Sequence, residues 1–240
     1  MKNVAALVTR QFRVFPPDIV PFYAVLTAAG SDVLRRQFNF REVLSPDAEN
    51  TDAIFRGGLI MVPEAPAPVT ILSLHLNHQR IILEVVAETP VTNTVYEMVA
   101  QYMATLDSRR ALLTASPLLL THETQCDVEL ALGWADLISD QLRGFVEKDV
   151  LEHARTPGTT TRIRGLNLRF SIAFNDEDEE RRDFGAVHAD KTLIIEPRML
   201  TPLSSAIFFT QSPLTSDAHL SLLERFERTM GHGPRKPRRR

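Results

Sequence analysis

His75 and His78 form an H-x-x-H pair, and His122 and Cys126 form an H-x-x-x-C pair. Imidazole and thiolate are preferred zinc ligands, but a structural site needs four of them converging as a tetrahedron. Cys126 with His122 is also the residue pair of a thiolate–imidazolium nucleophile, which requires hydrogen-bond contact. Spacing opposes both readings. Around His75, the residues Leu72, Leu74 and Leu76 alternate with Ser73, His75 and Asn77. Alternation of that kind marks a strand, on which residues three apart point to opposite faces. His122 and Cys126 fall in a second strand-like run, where residues four apart sit about 13 Å from each other. One cysteine also rules out an internal disulfide framework. The plainer reading is surface histidines and a small buried thiol. These four residues are therefore weak metal candidates, and no catalytic residue is assigned.

Other chemistry is missing at the level of motifs. There is no G-x-S-x-G elbow, no G-x-x-x-x-G-K-[ST] loop and no G-x-G-x-x-G turn. No cofactor is expected. The acidic run 175–180 lacks the central Gly and distal Glu of an EF-hand loop, and Arg181 and Arg182 follow it directly. A solvated loop is the simpler account.

The elements that would position any site begin with Val69 to Leu106. Thr70 to Asn77 and Arg80 to Val86 read as two strands joined by a tight Asn77-His78-Gln79 turn. From Thr92 the period changes. Val95, Met98, Val99, Tyr102, Met103 and Leu106 make one helical stripe, with Thr92 or Asn93 placed to cap it. The pattern predicts a helix lying on an antiparallel sheet.

Upstream, Asn3 to Phe15 reads as a strand with Val8, Phe12 and Val14 on one side. A helix with Ile19, Phe22, Tyr23 and Leu26 inward follows, ending near Gly30. Gln37 to Leu44 and Ala53 to Val62 read as strands, the second with a bulge or close approach at Gly57-Gly58. Asp107 to Ala115 is a connection, after which the order restarts. A strand within Leu118 to Leu132 is followed by a helix over Trp134 to His153. Strands at Arg162 to Phe174, Thr192 to Glu196 and Ser205 to Thr210 come next, then a helix over Asp217 to Met230 capped by Ser216. On the exposed face of the 162–174 strand, Asn167 and Arg169 are placed to contact a ligand or partner.

The expected fold is α+β, a mostly antiparallel sheet with helices on one face. Residues 1–107 and 116–231 read as two similar strand-helix-strands-helix halves, followed by a basic tail at 232–240. This element order is similar to two duplicated families, the core of TATA-binding protein and the gyrase-inhibitor-like effector domains. The resemblance rests on topology alone and transfers no residue and no function.

Composition sets the remaining bounds. Hydrophobic residues are 44% of the 240 and charged residues 24%, an ordinary balance for a globular chain. No apolar run approaches the ~18 residues of a membrane span, and no secretory signal is recognisable. A cytoplasmic protein is expected. Net charge is −3, yet Arg235, Lys236, Arg238, Arg239 and Arg240 lie at the end; without those five, 22 bases face 30 acids. A body of that sign repels a phosphate backbone unless its bases cluster. The leading expectation is a non-catalytic binding or assembly protein that forms a homo-oligomer. Two alternatives stand beside it: a nucleic-acid-associated protein using a sheet face and the five tail residues, and a small-molecule effector domain with its pocket between the halves.

Overall fold

The structure, a computed structural model, describes residues 1–46, 51–63, 65–108, 110–133, 137, 140–145, 168–172, 191–198 and 206–231. Two long strands lie side by side at its middle, β1 (Asn3–Val14) and β6 (Leu119–Glu129). Between them come α1 (Phe22–Leu26), α2 (Ala28–Gln37), β2 (Glu42–Leu44), β3 (Ala53–Ile60), β4 (Val69–Leu76), β5 (Arg80–Val85), α3 (Thr89–Ala104) and α4 (Ala111–Thr114). After β6 come α5 (Asp140–Phe145), β7 (Leu168–Ile172), β8 (Lys191–Pro197), β9 (Ile207–Ser212) and α6 (Ser216–Gly231). The strands make one nine-stranded sheet in the order β2-β3-β4-β5-β1-β6-β9-β8-β7. Every pairing is antiparallel. The fold is α+β, as the alternation of the sequence predicts.

One face of the sheet carries the helices. Phe55, Leu74 and Leu83 lie opposite one another across β3, β4 and β5 and meet Val95, Val99 and Met103 of α3, all fully buried. Removing each such side chain from water is worth roughly 1.5–3 kcal/mol. Aromatic contacts close the outer end: Phe38 meets Tyr102 edge to face at 5.6 Å, and Phe40 packs on Phe55 at 5.3 Å. Under α6 a smaller cluster gathers Cys126, Val128, Ile195, Phe208 and Leu223.

Local chemistry explains most boundaries. The β4–β5 turn is held by Asn77, whose Oδ1 accepts from the Gln79 and Arg80 amides at 3.0 and 2.7 Å. Gly58 allows a close approach, since a Cβ there would lie 2.7 Å from the Phe40 ring. Elsewhere the structure departs from the expectation. Gly30 does not end a helix. Thr27 breaks the run and caps a second helix by accepting from the Gly30 amide at 3.0 Å. Gly30 is needed because a Cβ would sit 2.0 Å from the Ala24 carbonyl oxygen where α1 folds onto α2. As a result α2 runs to Gln37, and the strand predicted from Gln37 shrinks to Glu42–Leu44. The long helix begins at Thr89, ahead of Thr92 and Asn93, with Pro90 in its first turn where no amide is required. Of the predicted 134–153 helix, residues 137 and 140–145 are described and helical. The acidic run 175–180, residues 162–167 and 173–174 of the predicted 162–174 strand, and the tail beyond Gly231 lie outside the described residues.

The two central strands meet at Thr9 and Thr124, which face each other in the register. Thr9 is also opposite Val85 in β5, and Thr124 opposite Ser212 in β9. The Thr9 hydroxyl donates to the Ala87 carbonyl at 2.8 Å, and the Thr124 hydroxyl to the Leu214 carbonyl at 2.7 Å. Two residues further along each chain segment, the helices begin. There the Thr89 amide donates to Ser216 Oγ at 2.9 Å, while the Ser216 amide donates to Thr89 Oγ1 at 2.8 Å. Each helix start thus caps the other across 127 residues of sequence. The residue before α3, Glu88, makes no side-chain cap of its own.

Both hydroxyls are buried, so deleting either leaves an amide unsatisfied. Thr89→Ala and Ser216→Ala should each lower the free energy of urea unfolding by about 1–2 kcal/mol. The double variant should show a coupling of at least about 0.5 kcal/mol. Strict additivity would show that the two caps act independently.

Candidate functional site

The structure builds three polar arrangements, one sealed, one half-open and one spread across a sheet face. The sealed one lies under α6. His219, fully buried on that helix, has its Nδ1 2.7 Å from Ser212 Oγ and its Nε2 3.0 Å from Thr210 Oγ1 and 3.6 Å from Cys126 Sγ. The Thr210 hydroxyl donates to the Cys126 carbonyl at 3.2 Å. It therefore accepts from Nε2–H, and Nδ1 accepts from Ser212, which fixes a neutral imidazole. Burial among hydroxyls, with no carboxylate partner among the described residues, lowers the His219 pKa to about 4. Burial pushes the Cys126 thiol up, helped by Asp127 and opposed by the Thr210 hydrogen bond. The chain thus has a Cys–His pair, but with His219 instead of His122, and in the protonation states opposite to those of a thiolate nucleophile.

The half-open arrangement lies on the same face, where β1 and β6 pass beside α3. Gln11 is its hub, at 1% exposure. Its Oε1 accepts from Arg13 Nε at 3.0 Å, which assigns the other end of the amide as a donor. That nitrogen lies 2.6 Å from Asn93 Oδ1 and 3.1 Å from His122 Nε2. His122 must accept there, so its proton resides on Nδ1. The Arg13 guanidinium stacks over Tyr96, with Cζ 3.6 Å from the ring centroid. Burial lowers the Arg13 pKa against the opposing fields of Tyr96 and Glu97, and burial with Arg13 lowers that of His122. Tyr96 is raised by burial and pulled back by Arg13. Among the described residues no carboxylate lies within ion-pair distance of Arg13.

The third arrangement runs over the opposite face of the sheet. Glu42, Arg56, Ser73, Glu84, Arg10 and Glu123 occupy facing positions on β2, β3, β4, β5, β1 and β6. Gln125, Gln211, Ile194 and Arg169 do the same on β6, β9, β8 and β7. Arg56 reaches Glu42 at 3.6 Å, Ser73 donates to Glu84 at 3.1 Å and Gln211 to Glu123 at 2.9 Å. Beside this row Asp52 accepts from Arg80 and Asn77 at 2.9 Å. Arg10 Nε and Thr121 Oγ1, on neighbouring strands here, are buried without a hydrogen-bond partner among the described residues.

The residues singled out by sequence do not converge. His75 is on the row face, 4.0 Å from Asp52, and burial with nearby Arg10 lowers its pKa. His78 is exposed in the hairpin, His122 belongs to the Gln11 hub and Cys126 to the sealed cluster. No group of three or more His, Cys, Asp or Glu among the described residues could hold a metal ion. Arg169 is exposed on β7, on the row face. Asn167 and the basic residues 235–240 lie outside the described residues. Gln11, Arg13, Asn93, Tyr96 and His219 were missed. The available signal was the polar triple Thr9, Gln11 and Arg13 at strand spacing, which faces the helices while Phe12 and Val14 face away.

No protein-family model matches the chain, and no curated protein is similar to it. Among the described residues no helix is long and apolar enough to cross a membrane.

The His219 shift gives stability a pH dependence of definite sign. The unfolded imidazole takes up a proton near pH 6.5 and the folded one only near 4. Between those values the unfolded state holds more protons, so stability falls as pH falls. Through this residue, unfolding free energy should drop by roughly 3 kcal/mol from pH 7 to pH 4. His75 and His122 add to the same trend, so the check is urea unfolding of wild type beside His219→Gln. The variant should lose about that share of the slope; equal slopes would place a charged His219 in the fold.

Proposed function

We propose that this chain is a non-catalytic binding protein that self-associates through the row face of its sheet. One observation carries the reading: charges of alternating sign cross that face strand by strand, and no helix among the described residues packs on it. From Glu42 the order is acid, base, neutral, acid, base, acid. Neighbouring strands are about 4.8 Å apart. A second copy displaced by one strand would set acids against bases along part of the row, with the complementarity that fixes register in an interface. The paired central strands support a related reading, that residues 1–107 and 116–231 are copies of one unit. Thr9 matches Thr124, and a constant offset matches Val85, Ala87 and Thr89 to Ser212, Leu214 and Ser216.

A nucleic-acid partner is the weaker reading. Acids interleave with Arg10 and Arg56 on the row, where a phosphate backbone requires bases to cluster. The protonation states of Cys126 and His219 likewise favour a binding role over nucleophilic catalysis.

Light scattering on the full chain at low salt should give a defined multiple of 27.0 kDa. Arg56→Glu, at an exposed position, should shift it toward the monomer, and so should raising salt to about 0.5 M, because charge pairs at the rim are screened. A particle of 27.0 kDa at tens of micromolar would overturn the self-association.

A further inference from the structure

The half-open arrangement around Gln11 has an imbalance. Its hydrogen bonds consume acceptors and leave donors. Gln11 Oε1 is taken by Arg13, Asn93 Oδ1 by Gln11, and His122 Nε2 by Gln11. What remains is the Arg13 guanidinium edge, His122 Nδ1–H and the Asn93 amide NH2. All three side chains are bonded to one glutamine amide, so their free donors share one neighbourhood. Arg13 has Tyr96 as a second partner, stacked against its guanidinium and hydrogen-bonded to it, and His122 has no further partner among the described residues. The acid whose field acts on Arg13 is Glu97, exposed on α3 one turn beyond Asn93.

The surroundings add an apolar component. Leu120 lies opposite Arg13 in the β1–β6 register, and Leu118 donates its amide to the Val14 carbonyl next to it. Both are large and exposed, at 42% and 47%. They flank the donors on the strand that continues from His122.

We propose that Arg13, His122 and Asn93 form a binding site for the carboxylate of a small organic acid whose apolar body lies on Leu118 and Leu120. A set of donors without acceptors selects a group that only accepts. One guanidinium beside a neutral imidazole matches a single negative charge. A phosphate dianion would leave one charge uncompensated beside Glu97. Gln11 is the positioning residue: its amide fixes the His122 tautomer and holds the Arg13 side chain over Tyr96. The site lies on the helix face, apart from the row on the opposite face, and stands whether or not the chain self-associates.

The test is a titration of the full chain, labelled at histidine, with benzoate, benzamide and inorganic phosphate, read from the imidazole cross-peaks. Benzoate should shift the His122 peak saturably below about 10 mM, leaving the buried His219 peak in place. Benzamide and phosphate should bind at least about tenfold more weakly. Arg13→Met should weaken benzoate at least about tenfold, with the His219 peak reporting that the fold is intact. If that variant does not fold, Leu120→Asp decides, since it sets a carboxylate beside Arg13 from an exposed position and should block benzoate. Absence of saturation, equal affinity for benzamide or phosphate, or unchanged affinity in Leu120→Asp would overturn the site.

Discussion

The reciprocal cap between Thr89 and Ser216 is the constraint on which the arrangement of helices depends. A helix start leaves amides without partners, and burial makes each one costly. Here the first amides of α3 and α6 cannot reach water and are satisfied only by each other's hydroxyls. The helices must therefore begin at the same place, over the line where β1 and β6 pair. Thr9 and Thr124 fix that place from below by holding the carbonyls of Ala87 and Leu214. The strand seam and the helix starts become one hydrogen-bonded unit, and α3 and α6 diverge from it over opposite wings of the sheet.

That geometry decides where polar side chains can survive on the helix face. Near the seam the strands present Thr9, Gln11 and Arg13 on one side and Thr124 and Cys126 on the other, and the helix starts are too close to leave them in water. Each must find a protein partner. The side under α6 does so completely, through Ser212, Thr210 and His219. The side under α3 does so only in part, since Gln11 is sealed while Arg13, Asn93 and His122 keep one edge toward solvent.

The elements were readable where burial is one-sided. The β4–β5 hairpin and α3 follow from alternation, a short Asn-led turn and a 3.6-residue stripe, all of which agree there. β1 misled because both its faces are mixed: Val8, Phe12 and Val14 look like an inward set, but the helices pack on Thr9, Gln11 and Arg13. Gly30 misled because a helix end and a close helix–helix approach make the same demand for a missing Cβ. His219 lies one turn before Leu223, on a stripe read from Leu220, Leu223, Phe226 and Met230. Hydrophobic spacing cannot reveal a buried imidazole whose partners come from β6 and β9. The pairing of Cys126 with a histidine was foreseeable as chemistry but not as geometry, since the strand keeps His122 four residues away and the fold supplies His219 across the core.

If the two sides of the seam are compared position by position, their difference is chemical. Gln11 lies opposite Leu83 in β5, as Cys126 lies opposite Thr210 in β9. Val85 stands where the other wing has Ser212. In the first wing the β5 neighbours are apolar and the long amide finds its partners in Arg13, Asn93 and His122, while the second surrounds a small thiol with hydroxyls and an imidazole. A short side chain lets the second cluster close and exclude water, and its hydroxyls can serve as donor or acceptor, so every group is satisfied internally. A glutamine is longer, and its partners Arg13 and Asn93 carry more donors than the pocket has acceptors. Closing that cluster would bury an unpaired cation, which costs more than leaving one edge in water. The open edge at Arg13 is thus the consequence of placing Gln11 where the other wing has Cys126.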